Sequence, residues 1–164
     1  MAALGDADAR RQLSALAGDP RAWLGPDATE WAATLADRAR RAETALAGAP
    51  LARPAKLETA LAAAARLFDA ALFFEVHEVL EPHWLVAPDE RRQALQGLIQ
   101  IAVAWQHLAN GNVAGARSLL IDGAARLHGQ RLVGIELDAF ARAALEAAAT
   151  LPAATPPAFP RVPR

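Results

Sequence analysis

The chain predicts an all-α protein, and three observations carry that reading. Alanine dominates a composition that is 54% hydrophobic but only 5% aromatic, and alanine is the strongest helix former. Clusters of Val, Ile, Thr and Tyr, which mark strands, are nearly absent. Apolar residues recur at helical spacing over several long stretches. At 164 residues the length suits one bundle domain with room for extensions.

Taken in order, residues 7–17 read as a short helix. Gly18-Asp19-Pro20 and Gly25-Pro26 break the chain, and Asp27 or Thr29 caps a helix that runs to about Ala47 and stops at Gly48. Its apolar seam is expected at Trp31, Leu35, Ala39, Ala42 and Leu46, with Arg38, Arg40, Arg41 and Glu43 on a solvated face. Pro50 and Pro54 bracket a linker. A helix from Leu57 to Phe68 buries Leu57, Leu61, Ala64 and Phe68. The next runs from about Leu72 to Trp84 with Pro82 in its last turn, where a missing donor loosens the helix. After the turn Ala87-Pro88-Asp89, with Asp89 as cap, residues 90–109 are apolar almost all round, which marks a central buried helix. Leu98, Ile99 and Ala102 should be close to fully buried, and this should be the least exposed helix. Asn110-Gly111-Asn112 ends it, and Asn112 caps a helix from Val113 to Leu127. A last helix spans about Leu137 to Thr150. The proline-rich residues 152–164 are expected to be extended and disordered, and dispensable for stability.

Three domain-level pieces follow: an N-terminal helical extension (1–50), a bundle (51–151) and the tail (152–164). Residues 67–80 lie over residues 107–120 at an offset of 107 − 67 = 40, so the bundle is read as two similar helical hairpins.

Composition also excludes. With no cysteine there is no disulfide or thiolate chemistry. A formal net charge of −1 gives no field for nucleic acid or an anionic membrane. One lysine, Lys56, among many arginines reads as a high-GC genome. Asp6 and Asp8 stand where a signal peptide needs an apolar run, and no apolar run reaches spanning length. A cytoplasmic location is expected, with no nucleic acid and no membrane as partner.

The densest chemistry lies in Phe73–Trp84, FFEVHEVLEPHW. His77, Glu81 and Trp84 share a helix face, with Phe74 beside them. Gln96, Gln100 and His107 form a matching stripe on the central helix, with Gln93 at its edge. Antiparallel packing of the two helices would let Gln96 or Gln100 partner a buried Glu81, since a buried carboxylate needs partners. One reading is an internal His/Glu/Gln hydrogen-bond network that fixes register. The other is a pocket lined by Phe74, Trp84 and Trp105 with His77 and Glu81 as acid/base pair or metal ligands. His77-Glu78-x-x-Glu81 is similar to the HExxH zinc motif, with glutamate for the second histidine and no third ligand evident. His83 is read as a surface residue, and His128 as a partner of terminal carbonyls.

These residues also carry a family resemblance: Phe68-Asp69, Phe73-Phe74-Glu75-x-His77-Glu78-Val79-Leu80-Glu81-x-x-Trp84, Leu95-Gln96-Gly97-Leu98-Ile99-Gln100, and Asn110-Gly111-Asn112-x-x-Gly115-Ala116 with Leu119. Together they resemble the small helical family of domain of unknown function 309, over about residues 57–151. The resemblance implies a compact helical bundle with a central helix and brings no activity, substrate or catalytic residue. Ala71 stands where the family usually has a turn glycine, and Leu85 where an arginine often follows the tryptophan.

The functional expectation is a binding or protein-interaction module, with a protein or small ligand as partner, no cofactor, and homo-oligomerisation compatible with it. Whether it is an enzyme is left open. The alternative is metal- or acid/base-assisted hydrolysis at His77, Glu78 and Glu81.

Overall fold

The computed structural model describes residues 6–24, 30–48 and 56–162. The chain divides into two compact units, residues 1–55 and 56–164. Gly25-Pro26, Asp27, Thr29, Pro50 and Pro54, invoked above as breaks, caps and linker, lie outside the described residues.

The first unit is a helical hairpin. Helix α1 (Asp6–Gly18) leads through a 3-10 turn, Pro20–Trp23, toward α2 (Ala32–Ala45). Ser14 Oγ donates to Glu43 across the pair. The buried seam of α2 is Ala32, Ala36 and Ala39; Ala39 belongs to the expected seam, while Ala32 and Ala36 replace the expected Trp31 and Leu35. Trp31 is 59% exposed. The small alanines let the helices approach closely, and the bulkier ring is left at the helix start.

The second unit is a bundle of five helices: α3 (Leu57–Asp69), α4 (Phe73–Leu85), α5 (Asp89–Ala109), α6 (Val113–Leu127) and α7 (Asp138–Thr150). Consecutive helices pack on one another, with α5 and α6 forming the most extensive pair. From Ala94 to Leu108 no residue of α5 is exposed, and Leu98, Ile99 and Ala102 are buried as expected. Its first turn, Asp89–Gln93, is exposed, so the shorter α3 buries the larger share of its residues. Pro88, not Asp89, occupies the cap position. α4 continues past Pro82 to Leu85, although Pro82 has no N–H to give the carbonyl of Glu78.

Two glycines explain how α5 and α6 come so close. A methyl group added at Gly97 would lie 2.9 Å from the Gly123 carbonyl oxygen, and one added at Gly123 would lie 3.0 Å from the Gly97 carbonyl oxygen. The two backbones meet face to face, and no side chain fits between them.

Between α6 and α7 the chain makes a small antiparallel hairpin, β1 (Arg131–Leu132) and β2 (Ile135–Glu136), with Leu132 opposite Ile135. Val133 (φ 51°) and Gly134 (φ 77°) form the turn. Positive φ at both central positions is the type I′ hairpin turn, and a β-branched residue there is strained. The hairpin buries Leu132, Ile135 and the following Leu137. Asp138 opens α7. Its carboxylate accepts the Gly129 N–H at 2.9 Å, which holds its pKa below the ordinary carboxylate value, and the His128 ring 3.1 Å away adds to this. The His128 ring thus lies against a carboxylate, while its backbone N–H donates to the terminal carbonyl of Ala124 at 3.1 Å.

The tail departs from expectation. Residues 152–162 have no helix or strand, yet they are held on the bundle. Phe159 is 2% exposed, with its ring 5.1 Å from Phe68 and 5.5 Å from Phe140. Arg161 pairs with Asp69. A lone aromatic among prolines finds an apolar site while the prolines keep its flanks extended. Removing the tail is therefore expected to lower the melting temperature. Residues 163–164 lie outside the described residues.

Candidate functional site

Helix α4 is the element on which the candidate residues gather. It buries Phe73, Val76 and Leu80, at positions i, i+3 and i+7, and this fixes which way the remaining side chains point. At about 100° per residue, Phe74, Glu78, Glu81 and Leu85 fall on the side away from that seam. Phe74 is 51% exposed, Leu85 59% and the cap residue Val86 82%. Trp84 is half-buried. Between Phe73 and Val86 the chain carries Glu75, Glu78 and Glu81 and no lysine or arginine, so the exposed apolar side chains are set in a negative surface.

His77 lies at the edge of this surface, its side chain 28% exposed. Its Nδ1 is 3.1 Å from a Glu78 carboxylate oxygen and its Nε2 is 3.9 Å from one of Glu81. Its ring centre is 6.0 Å from that of Phe74. One ligand atom from each of His77, Glu78 and Glu81 can be chosen so that all three lie within 4.8 Å of one another. Glu78 supplies the third candidate ligand atom that the motif alone left unassigned. One helix supplies all three side chains, at i, i+1 and i+4.

The expected internal network does not form. Among the described residues no polar or charged residue is buried. The Glu81 side chain is 43% exposed and makes no hydrogen bond to Gln96 or Gln100. The physical reason is the phase of α4: the buried seam through Phe73, Val76 and Leu80 rotates Glu81 to the rim of the helix interface. Gln96 is half-buried, and Gln100 keeps a buried Oε1 with no hydrogen-bond partner. His107 is engaged elsewhere, its Nδ1 2.8 Å from Asn112 Nδ2. The expected aromatic pocket is also absent, because Trp105 is buried against Phe73, with ring centres 6.5 Å apart, while Phe74 faces water.

Several motif residues now have structural roles. Gly97 permits the α5–α6 contact. Gly111 takes a φ of 78° in the turn. Asn112 caps α6 by accepting the Gly115 N–H at 2.9 Å. Gly115 leaves room for that cap, since a methyl there would lie 2.6 Å from Asn112 Nδ2 and 2.9 Å from His107 Nδ1. Core packing gives no such role to Phe74, Glu78 or Glu81. Sequence reasoning missed Leu85 and Val86 as surface features. The available signal was that α4 is apolar in two phases, one through Phe73, Val76 and Leu80 and another through Phe74 and Leu85.

Comparison with known proteins places the same stretch in context. Residues 61–119 match the family described as "Domain of unknown function (DUF309)", a narrower span than the expected 57–151. It runs from within α3 to the middle of α6. The chain is 43% identical over 49 residues to "Uncharacterized protein YpuF" of Bacillus subtilis (strain 168), a match that covers 29% of this chain and 28% of that protein. The chain thus matches only about a quarter of that relative's length. No solved structure matches significantly. No helix among the described residues is long and apolar enough to cross a membrane.

Proposed function

We propose that this protein is a binding module that engages a partner protein through the outward face of α4. The observation that carries this reading is the exposure of Phe74, Leu85 and Val86 beside three glutamates. Of the large apolar side chains exposed in the second unit's described residues, Phe74 and Leu85 lie on one side of α4 and Val86 at its cap, whereas Ile121 and Leu145 lie singly on α6 and α7. Single exposed apolar residues are ordinary, but a cluster marks a contact surface. Phe74 and Leu85 are eleven residues apart, about 16 Å along a helix axis, which suits a partner helix of two to three turns. The glutamates select a segment whose apolar stripe is flanked by arginine or lysine.

A fluorescent helical peptide with leucines at i, i+4, i+7 and i+11 and flanking arginines provides the probe, read by anisotropy. Leu85→Asp, or Glu78→Arg with Glu81→Arg, should weaken its binding at least tenfold, and a peptide with glutamates for the arginines should not bind. Unchanged affinity in both variants would remove α4 as the surface.

A second reading is favoured by the convergence of three ligand atoms within 4.8 Å. His77, Glu78 and Glu81 form a set of the size that catalytic zinc sites use, leaving open positions for water or substrate. Cobalt(II) or zinc titration followed by calorimetry tests it. Glu81→Gln should leave the melting temperature unchanged and abolish binding. Wild-type protein that takes up neither ion rejects the reading.

A further inference from the structure

We propose that the groove between the C-terminal end of α3 and α7 is a recognition site for an extended, proline-flanked Phe-Pro-Arg segment, which the chain's own tail fills in cis. The proposal is independent of the outward face of α4. Three observations define the recognition chemistry. First, Phe159 enters an aromatic pocket whose walls are Phe68 and Phe140, themselves 6.1 Å apart by ring centre, with Phe73 behind Phe68 at 5.2 Å. Aromatic rings at these separations attract beyond simple burial. Second, Arg161, two residues on, pairs with Asp69. Asp69 is the last residue of α3, where the helix dipole also favours a cation. Third, prolines at 156, 157 and 160 keep the segment extended before it docks, so little entropy is lost on binding. Proline-rich peptides dock in aromatic-lined grooves on the same physical basis.

The contact has the form of a ligand on a site. Between Pro152 and Val162, Phe159 is the one fully buried side chain. On either side of the tail lie open recesses. One, of about 370 Å³, is bounded by Phe68, Asp69, Phe73 and Pro157; the other, of about 440 Å³, by Ile135, Phe140, Pro157 and Pro160. A single anchor flanked by unfilled space is how hot-spot residues hold peptides. The root of the tail is fixed separately: Arg117 donates to the carbonyls of Ala148 and Leu151. The tail can therefore leave the groove while its root stays attached. In cis it has a high effective concentration, so a partner's segment must compete with it.

The test uses full-length protein and a fluorescein-labelled peptide with the sequence of residues 154–162, followed by anisotropy. Phe159→Ala, which empties the pocket, should bind the peptide at least tenfold more tightly than wild type. A peptide with alanine for its phenylalanine should bind at least tenfold more weakly. In the Phe159→Ala background, Asp69→Arg should lose the peptide and recover it when the peptide's arginine is changed to aspartate. A folded Phe159→Ala protein that ignores the peptide, or binds the alanine peptide equally, overturns the proposal. If Phe159→Ala does not fold, Arg161→Asp serves, since it loosens the tail and leaves the core intact. It should bind the peptide more tightly than wild type, and no gain overturns the proposal. A wild-type dimer in sedimentation velocity that Phe159→Ala abolishes would assign the groove to a second copy's tail and overturn a separate partner.

Discussion

The turn from α3 into α4 and the turn from α5 into α6 share one backbone and are held by different side chains. The N–H of Ala71 bonds the Phe68 carbonyl and that of Leu72 the Leu67 carbonyl. Forty residues on, Gly111 bonds Leu108 and Asn112 bonds His107, all four at 2.9 Å. The left-handed position is Ala71 (φ 54°) in one and Gly111 (φ 78°) in the other. Leu72 is buried and offers no cap, whereas Asn112 caps through its side chain. A buried leucine contributes about 2 kcal/mol and an Asn cap about 1 kcal/mol, so an apolar anchor and a hydrogen bond hold similar turns. The helices that follow differ more. Where α4 presents Phe74, Glu78 and Leu85, α6 presents Ala114, Ser118 and Ala125. The outward face of α6 is small at these positions, and Ile121, 46% exposed, is its one large exposed apolar side chain. The face of α4 is large, apolar and acidic, which nothing in the shared turn requires.

The largest effect expected from breaking this comparison comes at the α5–α6 contact. Gly97→Ala should cost about 3 kcal/mol, read by urea denaturation, because the added methyl meets the Leu127 side chain and the Gly123 backbone. Less than about 1 kcal/mol would show that the helices can separate cheaply. Next comes the cap. Asn112→Ala should cost about 1 kcal/mol, and Gly115→Ala a similar amount by displacing the same side chain. The double variant should cost little more than either alone, since both remove one interaction; full additivity in a denaturant-based double-mutant cycle would separate Gly115 from the cap. Making the first turn like the second should stabilise. Ala71→Gly is expected to gain about 1 kcal/mol, and Gly111→Ala to lose about 1 kcal/mol. Equal melting temperatures for Ala71→Gly and wild type would mean the left-handed alanine is not strained. The smallest effects should come from the α4 face. Glu78→Gln and Glu81→Gln are each expected to change stability by less than about 0.5 kcal/mol. A loss of 1–3 kcal/mol in thermal melts, the range expected of a buried partner, would return Glu81 to the interior.

The helix limits in the second unit were legible to within about a residue, because glycine, proline and Asn-Gly-Asn punctuate strongly periodic segments. The central burial of α5 was legible for the same reason. The proximity of His77 and Glu81 was also legible, since i, i+4 spacing puts those two residues on one face. The exposure of Glu81 was not, because adjacent Phe73 and Phe74 make α4 apolar in two phases and only packing chooses between them. The hairpin at 131–136 was hidden because Val133 replaces the Asn or Asp that signals a tight turn. Phe159 was hidden because a proline-rich composition describes the flanks and says nothing of one aromatic side chain. Trp31 misled in α2, where close alanine packing outweighed the larger ring.

The meeting of Gly97 and Gly123 has a consequence for how the molecule opens. Each glycine weakens its own helix by about 1 kcal/mol relative to alanine. Neither α5 nor α6 is therefore a strong helix alone, and the close contact that offsets the loss exists only when both are formed. Secondary and tertiary structure are coupled at that point. Amide protons along α5 and α6 should exchange through one shared opening with a common free energy, and not by fraying helix by helix.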